Sequence, residues 1–60
     1  MIGLLCTYPY TDIAGKLARA TGNVIHVWVE PAYYKLQIWV LSQDGIVLGP
    51  FEQSDLKVSP

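Results

Sequence analysis

The sequence predicts a mainly β fold with one short helix: four to five antiparallel strands forming a partly open barrel or a strongly bent sheet. Three observations carry this. Val24–Glu30 and Lys35–Leu41 are runs rich in β-branched and aromatic residues, which suit a pleated, half-buried surface. Pro31-Ala32-Tyr33-Tyr34 separates them, a length that hairpin loops commonly take. Asp44-Gly45 marks a second reversal, because both residues tolerate the positive φ of a type I′ turn.

The other elements follow in chain order. Ile2–Tyr8 reads as a first strand, short, apolar and ended by Pro9. Thr11 or Asp12 is a helix cap, and Ile13, Leu17 and Ala20 recur at helical spacing. Gly22 falls where a left-handed C-terminal residue belongs. These signs place the short helix at residues 12–21. Gly15 opposes it by ~1 kcal/mol relative to Ala, so an irregular loop is the competing reading. Beyond the second hairpin, Ile46–Leu48 extends a strand that Gly49-Pro50 breaks or bends. Glu52–Asp55 forms a tight turn, and Leu56–Val58 closes the sheet as a short edge strand.

Size and charge bound the function. Sixty residues make a single small domain over residues 1–60. A net charge of −1 offers no footprint for a phosphate backbone and argues against nucleic acid. Apolar residues are 52% and charged residues 15% of the chain, the reverse of a disordered composition. The longest uncharged stretch, residues 1–11, is too short to span a bilayer. With no basic region ahead of it, it does not read as a secretory signal, and a cytoplasmic location is the expectation. A chain this short buries only ~60% of the surface its unfolded form exposes, and such cores net ~3–5 kcal/mol. Docking on a partner, or on further copies, is the expected supplement.

Alternation sorts the two strong strands into faces. Pairing Glu30 with Lys35 sets Val29 against Leu36, Val27 against Ile38, His26 against Trp39 and Ile25 against Val40. One face is then wholly aliphatic: Ile25, Val27, Val29, Leu36, Ile38 and Val40. The other holds Val24, His26, Trp28, Glu30, Lys35, Gln37, Trp39 and Leu41. Continuing through a turn that pairs Gln43 with Ile46 adds Ser42, Val47, Gly49 and Phe51 to the aliphatic face. The same step adds Ile46 and Leu48 to the tryptophan face. The helix and first strand can cover only one face, so the tryptophan face is the expected interaction surface.

The candidate partner-binding residues are therefore Trp28, Trp39, His26, Leu41 and Leu48, with Tyr33 and Tyr34 at the neighbouring loop tip. Tryptophan is enriched at binding hot spots, and tyrosine gives a loop an apolar body with a polar end. Tyr8-Pro9-Tyr10 reads as a second aromatic loop. No catalytic set is expected. Cys6 and His26 are too few for a structural zinc shell and lack the third group of a nucleophilic triad. Cys6 reads as a buried thiol, Glu52 and Asp55 as turn residues, and Lys16 and Arg19 as a solvated helix face. No metal and no cofactor are expected.

From Gly22 onward, the short-looped strands and the ending Phe51-Glu52-Gln53-Ser54-Asp55-Leu56-Lys57-Val58 resemble small SH3-like barrels. The possible helix after the first strand has no necessary place in such a barrel. The resemblance implies a binding or accessory role. The expected function is non-enzymatic protein binding, as a small accessory subunit, adaptor or inhibitor acting on another protein. A homo-oligomeric structural protein is the first alternative. A single-strand nucleic-acid binder that stacks bases on Trp28, Trp39, Tyr33 and Tyr34 is the second.

Overall fold

The computed structural model describes residues 2–58. Its elements are β1 (Leu5–Thr11), β2 (Leu17–Glu30), β3 (Lys35–Ser42), β4 (Val47–Glu52), a 3-10 turn (Gln53–Asp55) and β5 (Lys57–Val58). All strands pair antiparallel in one open sheet of order β4-β3-β2-β1-β5. The mainly β fold and the five antiparallel strands agree with expectation.

The helix expected at residues 12–21 is absent; its place is taken by a hairpin and the first part of β2. The Asp12 N–H donates to the Lys16 carbonyl and the Gly15 N–H to the Asp12 carbonyl, each at 2.9 Å. Asp12 Oδ1 accepts from the Ala14 and Lys16 N–H groups, also at 2.9 Å. Gly15 takes φ +78°, as a three-residue hairpin loop closed by a left-handed residue requires. An aspartate that accepts from the N–H two residues on looks alike as a helix cap and as a turn corner. The one helical turn in the described chain is Gln53–Asp55, where the Glu52 N–H donates to the Asp55 carboxylate at 3.1 Å.

The β3–β4 turn repeats the same construction. Ser42 N–H donates to Ile46 O at 2.9 Å, Gly45 N–H to Ser42 O at 3.0 Å, and Ile46 N–H to Ser42 Oγ at 3.1 Å. Gly45 has φ +83°. The loop is thus three residues long, Gln43-Asp44-Gly45, and not the expected two. Every pair near the turn slips by one: Leu41 lies opposite Val47, and Val40 opposite Leu48. An extra residue at Gly49-Pro50, whose peptide is cis, restores the expected register, so Ile38 meets Phe51 and Gln37 meets Glu52.

β2 and β3 pair as expected from Glu30–Lys35 to His26–Trp39. A bulge then inserts Ile25, and Val24 lies opposite Val40. The two irregularities exchange several residues between faces. Val24, expected outside, is fully buried. Ile25, expected inside, is only half-buried. Leu48 packs against the core, while Val47 is exposed.

The core is Cys6, Tyr8, Val24, Ile38, Val40 and Leu56, flanked by Ala20, Val27, Leu36, Leu48 and Phe51. Two strands separate β1 from β4 in the sheet, yet the Tyr8 and Phe51 rings lie 5.8 Å apart. The sheet therefore curls around its aliphatic face. Tyr8 and Tyr10 belong to β1 and not to a loop; Tyr8 is buried and Tyr10 exposed. The accessible surface is 4359 Å², against ~3900 Å² expected for a monomer of this mass. β3 pairs with β2 only from Gly22 onward and β5 with β1 only up to Thr7, so Leu17–Ala20 and Tyr8–Thr11 run on as a two-stranded arm.

Arg19 braces the base of that arm. Its Nε donates to Thr7 Oγ1 at 3.1 Å, and Nη2 donates to the carbonyls of Thr7 at 2.8 Å and Asp55 at 2.9 Å. The expectation of a merely solvated charge missed this, because the helical reading put Arg19 far from β1. Arg19→Ala is expected to lower the unfolding free energy by ~1–2 kcal/mol, as charged hydrogen bonds at a surface are lost. Arg19→Lys should not recover it, since an ammonium lacks the guanidinium's forked donors. Urea denaturation of the two variants checks this, and full recovery by Lys would count against the clamp.

Candidate functional site

The outer face of the curled sheet is built from the residues that alternate with the core. Across β2, β3 and β4, His26 stands opposite Trp39, Trp28 opposite Gln37 and then Glu52, and Glu30 opposite Lys35. Asn23, Leu41 and Val47 form a further row. No helix or second sheet of the described residues packs on this face.

Trp39 is held on two sides. The His26 ring lies 5.1 Å from it at 55°, a tilted aromatic pair. On the other side, a Cβ built on Gly49 would come within 3.0 Å of Trp39 Cδ1, so the indole edge lies close over bare backbone. Trp39 is half-buried as a result. Trp28, one diagonal step away, is 45% exposed. A fixed indole beside a more open one makes this part of the outer face a pre-ordered apolar platform.

Around the platform lie His26, Gln37, Glu30, Lys35 and Glu52. Lys35 Nζ and Glu52 Oε1 are 3.6 Å apart with both side chains largely exposed, an ion pair worth ~0–1 kcal/mol. Glu30 Oε2 accepts the Tyr33 N–H at 2.7 Å and so ties the β2–β3 loop to its strand. Tyr33 and Tyr34 are exposed at the loop tip. Tyr34 has φ +54°, a left-handed conformation that costs a residue with a Cβ ~1–2 kcal/mol. Tyr34 borders an open groove of about 520 Å³ that also includes Leu36, Gln53 and Ser54.

Of the expected site residues, His26, Trp28, Trp39 and Leu41 share the outer face, and Tyr33 and Tyr34 stand at its loop end. Leu48 does not belong with them. The three-residue turn shifts it one position, and it packs inward. Cys6 is fully buried in the core, while His26 is exposed on the outer face. Burial raises the thiol pKa above its ordinary value, and the Arg19 charge offsets part of that rise. The described residues contain no group of three or more metal-ligating side chains, and no helix long and apolar enough to cross a membrane.

A second concavity was not anticipated. A groove of about 320 Å³ runs between the arm and the β3–β4 turn, lined by Tyr8, Tyr10, Ala20, Ser42, Asp44, Ile46 and Leu48. The matched spacing of Asp12 to Gly15 and of Ser42 to Gly45 was the available sign that two similar hairpins lie here. The chain matches no protein-family model, no curated protein and no solved structure in comparisons with each.

Proposed function

We propose that the chain is a non-enzymatic protein-binding module, a small accessory subunit, adaptor or inhibitor that engages its partner through the outer tryptophan face. The observation that carries this reading is Trp28, 45% exposed beside the His26–Trp39 pair on a face that no described element covers. Indoles in such positions are the usual anchors of protein interfaces. The 3-10 turn followed by a short closing strand on β1 also supports the SH3-like resemblance and its accessory role.

The test is Trp28→Ala. A partner recovered with the wild-type chain should bind this variant ~30-fold more weakly, a loss of ~2 kcal/mol. Circular dichroism of the variant should match wild type, because the side chain is not part of the core. Unchanged affinity, or an unfolded variant, would count against the proposal and turn attention to Tyr10, Tyr33 and Tyr34.

A further inference from the structure

The arm exposes a free strand edge away from the tryptophan face. Sheets expose unpaired N–H and C=O groups along their edges, and proteins blunt those edges with proline, bulges or short strands. Three edges here are blunted. β4 contains Pro50 and a bulge. β5 is two residues long. The free edge of β1 beyond Thr7 contains Pro9. Two stretches of β2 remain unpaired: His26–Glu30 on the β1 side, which starts at the bulge, and Leu17–Thr21 on the β3 side, which has no proline and no irregularity.

The hydrogen-bonding parity of Leu17–Thr21 follows from its neighbours. The Val24 N–H donates toward β1, to Leu4 O at 3.0 Å. Alternate residues point the other way, so Leu17, Arg19 and Thr21 present their N–H and C=O groups outward, past the end of β3.

We propose that a second copy of this chain adds to this edge by antiparallel, two-fold pairing centred on Ala18. In that register Leu17 of each copy exchanges backbone hydrogen bonds with Arg19 of the other, about four in all. Ala18 meets Ala18 across the axis, and Lys16 lies opposite the other copy's Ala20. Centring on Arg19 instead would set two like charges against each other, which disfavours that register.

Charge complementarity selects the occupant. Ala20 lines the 320 Å³ groove together with Tyr8, Tyr10 and Asp44. A Lys16 placed opposite Ala20 therefore brings its ammonium to a groove with two tyrosines and a carboxylate, a fitting site for a cation. The ion pair among the described residues is Lys35–Glu52, so neither Lys16 nor Asp44 is already engaged in one. Two-fold symmetry makes the Lys16–Asp44 contact twice.

Three measurements on the full chain test this. Sedimentation equilibrium should show a concentration-dependent dimer; a chain that stays monomeric up to about 1 mM overturns the proposal. Lys16→Glu and Asp44→Lys should each weaken the dimer ~10-fold or more, and the double exchange should restore it. Full dimerisation by both single variants would overturn it. Ala18→Cys should form a disulfide with its own copy under oxidised glutathione, because a non-hydrogen-bonded pair sets the Cα atoms ~4.5 Å apart. Ala20→Cys should not, because its copies would lie ~13 Å apart along the strands. Equal cross-linking at both positions would refute the register. Trp28→Ala should leave self-association unchanged, which separates this surface from the tryptophan face.

Discussion

Val24→Asp is expected to abolish folding, while Ile25→Asp leaves a folded chain of reduced stability. Val24 is fully buried between Cys6, Ile38 and Val40 in the core cluster. A carboxylate there has no partner, and burying it costs several kcal/mol, or forces protonation at similar cost. A core of this size supplies ~3–5 kcal/mol in total, so the variant has no folded state left to populate. Ile25 is the extra residue of the β2 bulge, half-buried and opposite no residue of β3. Its replacement loses some apolar contact but leaves the charge a route to water, at a cost of ~1–2 kcal/mol. Circular dichroism and urea denaturation of the two variants decide the matter. If Ile25→Asp unfolds and Val24→Asp survives, β2 and β3 pair without the bulge.

That contrast shows where sequence reasoning reaches its limit. The composition of Val24–Glu30 and Lys35–Leu41 was enough to place two strands and pair Glu30 with Lys35, because a slip of one residue mixes an aliphatic face with a polar one. The pairing fails only at Ile25. There the bulge exchanges one aliphatic residue for another, and no polar side chain betrays the change. The Asp44 turn fails for a related reason. Asp-Gly suits either a two-residue type I′ turn or the end of a three-residue loop with a left-handed glycine. The Ser42 side chain settles it by accepting the Ile46 N–H, a contact with no periodicity to reveal it.

The site was legible to the same degree. His26, Trp28 and Trp39 lie on the part of the sheet where the register is as expected, and they share the outer face. Leu48 lies between the two compensating slips of β4 and turns inward. Arg19 and the groove beside Asp44 were hidden by the helical reading of residues 12–21. Leu17, Arg19 and Thr21 lie on one side of β2, yet Ile13, Leu17 and Ala20 also suit a helix, and so short a segment fits both periods. The glycines hold the information that separates the two readings.

Gly15→Ala and Gly22→Ala test those glycines. In a helix, Gly15→Ala would stabilise the chain by ~1 kcal/mol. In the hairpin, Gly15 sits at φ +78° with nothing within 4 Å of a built Cβ. The only penalty is then the left-handed conformation, and the substitution should destabilise by ~1 kcal/mol. The sign of the change alone distinguishes the folds. Gly22→Ala is the more severe case, and its cause is space alone. Gly22 lies mid-strand opposite Ser42. A Cβ there would stand 2.6 Å from Leu41 O, 2.6 Å from Val40 Cγ1 and 3.2 Å from Tyr8 Cε1. The Val40 side chain is fully buried and the Leu41 oxygen is backbone, so relief requires β3 to move away from β2 at the centre of the sheet. Overpacking of this kind costs ~1–3 kcal/mol and more where backbone must shift. Against a total of ~3–5 kcal/mol, the Gly22→Ala chain is left marginally stable and should melt well below Gly15→Ala. Thermal melts of the two variants beside wild type give the answer. A Gly22→Ala chain as stable as wild type would mean that β2 and β3 do not approach here as closely as the register requires.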